Sequence, residues 1–234
     1  MRLSEVVVVS PPRSGSTLLF ETLARAPGLY TVGGESHALM EGVPSLHPSH
    51  NGWHSNRAGA DLASSDVVQA LRERFAAALR DRDEQAPTAA PVRLLEKTPK
   101  NALRIPFLQR VFPEARFVYL YRDPREVLAS MIEAWQSGRF RTYPRLPGWN
   151  GPPWSLLLVP GWRELSGKPL HEIVAAQWEA TTRVLLDDLH GVPAERVSVV
   201  RYDALQQDPQ AAMQTLCAQL DLEWDQQLDA TLPA

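Results

Sequence analysis

The side chains that carry chemistry in this chain gather at four points. Arg13, Ser14, Gly15, Ser16 and Thr17 put a fixed cation, a glycine and three hydroxyls into consecutive positions. Glu35 and His37 set a carboxylate and an imidazole two residues apart, either of which can accept a proton. Lys97 stands in Glu-Lys-Thr-Pro-Lys, and Arg122 opens Arg-Asp-Pro-Arg. Singly, such an arginine or lysine is most often a surface ion-pair partner. Gathered around the first turn of a helix, whose N–H groups lack intrahelical partners and carry partial positive charge, they make a site for a polyanion.

A series of strand–turn–helix units must position them. Four valines, Val6 to Val9, read as a fully buried strand of a parallel sheet. Ser10, Pro11 and Pro12 stop it, and an apolar, helix-compatible run begins at Leu18. Gly15 lets the backbone approach a ligand closely. The turn is close to a nucleotide-binding P-loop but lacks its lysine. With Gly15 at the second glycine of Gly-x-x-x-x-Gly-Lys-[Ser/Thr], Ser10 falls at the first glycine and Ser16 at the lysine. A bound phosphate is expected here; ATP hydrolysis or kinase chemistry is not.

Further along, Pro27 and Gly28 end the first helix, and residues 29–61 read as an irregular segment near the cradle. Asp66 is the expected N-cap of a helix burying Val67, Val68, Leu71, Phe75 and Leu79. Residues 83–91 read as a loop. Strands are expected at Val92–Leu95, Arg116–Tyr121 and Val197–Val200, with helices around Leu103–Val111, from Pro124 to about Trp135, over 170–185 and after Pro209. Asp123 reads as a helix N-cap rather than a metal-holding carboxylate. Residues 137–168 crowd Gly, Pro, Arg and Trp together; Tyr143, Trp149, Trp154 and Trp162 argue against disorder, and the tryptophans read as the lining of an acceptor pocket or lid rather than as core filler. The whole is an α/β chain, a three-layer sandwich with a parallel sheet flanked by helices, here expected as a single domain over 1–234 with 137–168 inserted on the substrate side.

Composition narrows the function. The 234 residues are 44% hydrophobic and 22% charged, an ordinary globular balance. A net charge of −3 gives no electrostatic footprint for nucleic acid or an anionic membrane. The single cysteine, Cys217, lies in an apolar helical pattern and reads as a buried structural thiol, which fits a reducing compartment. With no signal-peptide pattern at the start and no run long enough for a membrane span, a cytoplasmic location is expected. His47, His50 and His54 share a loop, but no cysteine or repeated carboxylate completes a metal set, so no metal ligand is assigned.

Pro-Pro-Arg-Ser-Gly-Ser-Thr at 11–17 resembles the 5′-phosphosulfate loop of sulfotransferases, which use 3′-phosphoadenosine-5′-phosphosulfate (PAPS). Tyr-Arg-Asp-Pro-Arg-Glu-Val-Leu-Ala-Ser, with Arg122 and Ser130 eight positions apart, resembles the family's 3′-phosphate element. Arginine in the loop and the Glu-Lys-Thr-Pro-Lys segment look most like the tyrosylprotein and bacterial branch. The resemblance covers roughly residues 5–36, 92–135 and 195–225. It implies a P-loop-like fold and transfer of a sulfuryl group to an acceptor hydroxyl, less readily an amine, leaving adenosine 3′,5′-bisphosphate. It makes Arg13, Ser14, Gly15, Ser16, Thr17, Arg122, Ser130 and Tyr202 cofactor contacts, and Arg13 and Lys97 the cations at the transferring group. Glu35 lies one residue from the family's catalytic glutamate, and His37 is the alternative base. No metal is required for such chemistry. The expected partner is a small-molecule or peptide acceptor, whose identity is open, as is the oligomeric state. The family's C-terminal cofactor loop has no counterpart before Ala234, so either the chain is truncated or the cofactor is less enclosed. The alternatives are a nucleotide-dependent kinase or NTPase and a nucleotide-binding module without transferase activity.

Overall fold

The computed structural model describes residues 3–89 and 91–229. Ala90 of the expected 83–91 loop and the end of the chain at Ala234 lie outside them. Five strands form one parallel sheet: β1 (Leu3–Val9), β2 (Leu29–Tyr30), β3 (Val92–Lys97), β4 (Arg116–Tyr121) and β7 (Val197–Arg201), in the order β2-β3-β1-β4-β7. β1 lies at its centre, with Val8 beside Lys97 of β3 and Val118 of β4. Its valines alternate between two cores, as the period of a strand requires. Val7 and Val9 pack with Leu71, Phe75, Phe107 and Phe117 on one face; Val6 and Val8 pack with Leu19, Leu23, Met213 and Leu216 on the other. Helices on both faces make the three layers.

Between the strands run α1 (Ser16–Leu23), α2 (His37–Glu41), α3 (Ser65–Ala78), α4 (Ile105–Val111) and α5 (Pro124–Ser137). After α6 (Leu170–His190) come β7, α7 (Tyr202–Gln207), α8 (Pro209–Gln219) and the short α9 (Gln226–Asp229). Three details differ from the sequence reading. β3 runs on to Lys97, so Glu96 and Lys97 are strand residues rather than loop. The N-cap of α3 is Ser64, whose Oγ accepts the Val67 N–H, rather than Asp66, which lies in the first turn. Tyr30 and Leu29 form a two-residue edge strand, too short to show as a pattern.

The 137–168 segment corrects a further expectation. Its residues form a small antiparallel pair, β5 (Arg141–Tyr143) with β6 (Trp154–Ser155), over a third core. Trp154 and Trp162 are fully buried there with Val127, Met131 and Trp135 of α5 and Ile173 and Val174 of α6. The Trp154 ring meets Trp135, Trp149 and Trp162 edge-on at 5.0 to 5.8 Å. These tryptophans are core, not pocket lining. So much aromatic surface in a Gly/Pro-rich segment needs a floor, and the apolar sides of α5 and α6 provide it.

Candidate active site

The turn between β1 and α1 is shaped by two left-handed residues, Arg13 (φ +67°) and Gly15 (φ +94°). Ser14 is buried and its hydroxyl donates to Pro11 O at 2.8 Å, stapling the turn. Its side chain therefore serves the loop and not the cavity. Gly15 caps α1 with no side-chain acceptor for the first-turn amides. A Cβ on Gly15 would stand 2.2 Å from the Tyr202 ring, so this close approach requires glycine. A cavity of about 640 Å³ opens over the turn, walled by Arg13, Gly15, Ser16, Thr17, Glu35, His37, Arg122, Ser130 and Tyr202. Four segments far apart in sequence meet here because β1, β3, β4 and β7 are parallel and end on the same side.

Arg122 follows the last residue of β4. Its Nε bonds Glu126 Oε2 at 2.7 Å, and its guanidinium lies 4.3 Å from the centre of the Tyr202 ring. Asp123 caps α5 by accepting the Arg125 N–H at 2.8 Å, as expected, and this start brings Ser130 round to the cavity. Ser130 Oγ accepts from Arg13 Nε at 3.1 Å, which ties the two motifs to each other. Tyr202, first residue of α7, is thereby held between Gly15 and Arg122.

Lys97 is almost fully buried and stands behind the cavity wall. Its Nζ donates to Glu35 Oε1 at 2.8 Å and Thr17 Oγ1 at 3.2 Å. Glu35 Oε2 is 2.9 Å from His37 Nε2. Burial alone would raise the Glu35 pKa, but the hydrogen bonds and charges of His37 and Lys97 outweigh it and hold the carboxyl at about 2. His37 Nδ1 is buried without a hydrogen-bond partner among the described residues, so Nε2, bonded to Glu35, is the ring nitrogen with a partner.

Residues with no role assigned from the sequence complete the walls. Lys100 lines the cavity with a buried ammonium bonded to both Glu41 oxygens at 2.7 and 2.9 Å and to Tyr143 Oη at 3.1 Å. Arg104, fully buried, adds a third bond to Glu41 at 2.8 Å. Burial opposes ionisation of Glu41, but these two cations outweigh it and its pKa is lowered. Arg139, Phe140, Arg141, Thr142, Leu156 and Leu157 form the opposite wall, with Phe140 stacked 4.8 Å beneath the Arg13 guanidinium. Lys100 stood three positions after Lys97 and was legible as a motif residue; the hairpin wall carried no such signal. Among the described residues, no group of three His, Cys, Asp or Glu is placed to hold a metal ion. His47 bonds Ser49 and packs on Trp53.

The model of the Sulfotransferase family matches residues 5–226. The chain belongs to that family. Among its relatives is a candidate protein-tyrosine sulfotransferase of Caenorhabditis briggsae, 27% identical over 224 residues, an alignment covering 95% of this chain and 67% of the relative. A solved Mycobacterium avium sulfotransferase superposes with a TM-score of 0.60 at 15% identity, over 99% of this chain and 67% of that one. A mouse sulfotransferase complexed with PAP gives 0.50 at 14% identity, over 98% and 62%. The sulfotransferase chain described here thus spans about two thirds of the length of these relatives. The structural matches establish the sulfotransferase fold.

Proposed function

We propose that this sulfotransferase moves a sulfuryl group from PAPS to a hydroxyl of a small-molecule or peptide acceptor. The observation that carries the reading is the convergence of the Arg13–Thr17 cradle, the Arg122–Ser130–Tyr202 group and the Lys97–Glu35–His37 cluster on one cavity. The donor set fits a nucleotide with anions at both ends. The first-turn amides of α1, Arg13, Ser16 and Thr17 take the 5′-phosphosulfate; Arg122 and Ser130 take the 3′-phosphate; the Tyr202 ring borders the adenosine. Ser16 stands where a P-loop lysine would be, which disfavours nucleoside triphosphate hydrolysis.

The donor supplies a sulfuryl group already activated by a phosphate leaving group. As the acceptor oxygen bonds sulfur and the sulfur–oxygen bond to phosphate breaks, negative charge gathers on the leaving oxygen, where Arg13, Lys97 and the α1 amides stabilise it. The acceptor's proton goes to Glu35, whose carboxylate faces the cavity while His37 shares the proton through their 2.9 Å contact. Lys97 reaches both Thr17 and Glu35, so an anion in the cradle competes with Glu35 for its ammonium. A carboxylate relieved of that ammonium becomes a stronger base. Phe140, Leu156 and Leu157 offer the acceptor an apolar wall, which supports a substrate-side role for the 137–168 insert. A cytoplasmic address is supported only by cysteine usage, the single Cys217 being a free, buried thiol.

The test is calorimetric binding of adenosine 3′,5′-bisphosphate, AMP and ATP without metal, followed by transfer of labelled sulfate from PAPS to a panel of phenolic, alcoholic and tyrosyl-peptide acceptors. Preference for the bisphosphate and labelled product supports the reading. Preference for ATP overturns it, and tight bisphosphate binding without transfer to any acceptor replaces it with a nucleotide-binding module.

A further inference from the structure

Glu96 is fully buried next to the cluster, yet neither neighbouring lysine pairs with it. Lys97 bonds Glu35 and Lys100 bonds Glu41, and no cation pairs with Glu96 among the described residues. Its Oε1 accepts from Ser36 Oγ at 2.6 Å and from Asn101 Nδ2 at 3.0 Å, while Oε2 is buried with no partner. An ionised carboxylate here would be a buried charge with no ion-pair partner among the described residues, the His37 ring being bonded to Glu35 and acting on Glu96 only through space; a carboxylic acid with its proton on Oε2 is the state that fits. Burial raises its pKa and outweighs the opposing pull of its polar neighbours Ser36, Thr98 and Asn101 and of the His37 ring. Thr98 completes the grip, since its Oγ1 accepts the Ser36 N–H at 2.8 Å and lies 3.1 Å from Ser36 Oγ. Ser36 separates Glu35 from His37. Glu96 and Thr98 therefore hold the residue between the two candidate bases, while Lys97, between Glu96 and Thr98 in the chain, holds Glu35 itself.

We propose that Glu96, as a neutral acid, is a positioning residue that clamps Ser36 and so sets Glu35 and His37 in register with Lys97 at the cavity. This rests on the sulfotransferase reading of the site for its effect on turnover, but the clamp can be measured without turnover. Glu96→Gln keeps the Oε1 acceptor for Ser36 and Asn101 and replaces one unpartnered buried donor by another. Glu96→Leu removes the acceptor.

The experiment compares the two variants in sulfate transfer, in bisphosphate binding and in hydrogen exchange of the Ser36 amide. Glu96→Gln is expected to keep kcat within about threefold, and Glu96→Leu to lose about 10- to 100-fold in kcat with bisphosphate affinity within about threefold. Exchange at Ser36 accelerates in the leucine variant alone, while amides of β1 and β4 stay protected. If the leucine variant does not fold, Ser36→Ala, which removes the hydroxyl but leaves the buried acid, is expected to show the same kcat loss and unchanged nucleotide binding. Full turnover without the clamp overturns the proposal, as does a glutamine variant as damaged as the leucine one, or nucleotide affinity falling in step with kcat. Absence of transfer in the wild type would instead overturn the functional reading, and Ser36 exchange would still decide the clamp.

Discussion

Glu35 shows how a single side chain is set by its neighbours. It is partly exposed, yet Lys97 and His37 hold its carboxyl at about 2. The lowered value means that these contacts stabilise the ionised form, are fully present above the ordinary carboxylate range, and vanish as pH falls through about 2. Replacing Lys97 with methionine removes one hydrogen bond and one positive charge, so the Glu35 midpoint should rise toward the ordinary range in an NMR titration; an unmoved midpoint would mean that His37 alone sets it. Glu35→Ala should lower kcat by about 10²- to 10⁴-fold and leave bisphosphate affinity nearly intact. Unchanged turnover would pass the base role to His37. Arg122→Ala should weaken bisphosphate about 10- to 100-fold while barely affecting AMP, the size of a lost charge-assisted hydrogen bond. Equal losses for both ligands would remove Arg122 from the 3′-phosphate.

At the scale of elements, two contacts decide the shape of the site. The β1–α1 turn admits Tyr202 only because position 15 has no side chain and can adopt φ +94°. Gly15→Ala should cost about 1–3 kcal/mol in chemical denaturation and abolish measurable bisphosphate binding, because the added methyl must displace the ring. The insert is held by its own tryptophan core. Trp154→Ala should therefore destabilise the protein by about 3–5 kcal/mol. Below its lowered melting temperature, the variant should still bind bisphosphate, as a pocket-lining tryptophan would not allow.

For the whole molecule, pH acts through the central strand. Glu5, 2% exposed in β1, has its pKa pushed up to about 7 by burial, against the pull of Arg72. A raised pKa means that the folded state binds the proton more tightly than the unfolded chain. The stabilisation is complete below about 4.5 and is lost as pH rises through about 7. Thermal melts should fall across that window, and Glu5→Gln should flatten the fall and exceed the wild type at pH 8 by up to about 3 kcal/mol. A parallel pH dependence in the variant would assign the effect to other groups. Chelator treatment should leave activity intact; a loss reversed by Mg²⁺ would reopen nucleotide-triphosphate chemistry.

Local physics made much of this legible from the chain alone. Four β-branched valines between polar punctuation favour a buried strand, Asp123 before Pro124 favours a helix start, and glycine followed by hydroxyls at a helix entrance makes an anion cradle. The strand ends carrying Arg13, Lys97 and Arg122 were readable for the same reason: parallel strands place their following turns on one edge. Tertiary structure alone decided what these turns meet. That Lys97 lies behind Glu35 and Thr17, that Tyr202 fills the space of a missing Cβ, and that Phe140 stacks on Arg13 are contacts between residues 62 to 187 positions apart, and no periodicity encodes them. The tryptophans of 137–168 read as pocket lining because composition reports surface and core aromatics alike; only the floor offered by α5 and α6 buries them. Glu96 is the sharpest case, since a glutamate between a leucine and a lysine reads as charged, and only complete burial with no ion pair among the described residues pushes its pKa up and supports the proposed neutral acid.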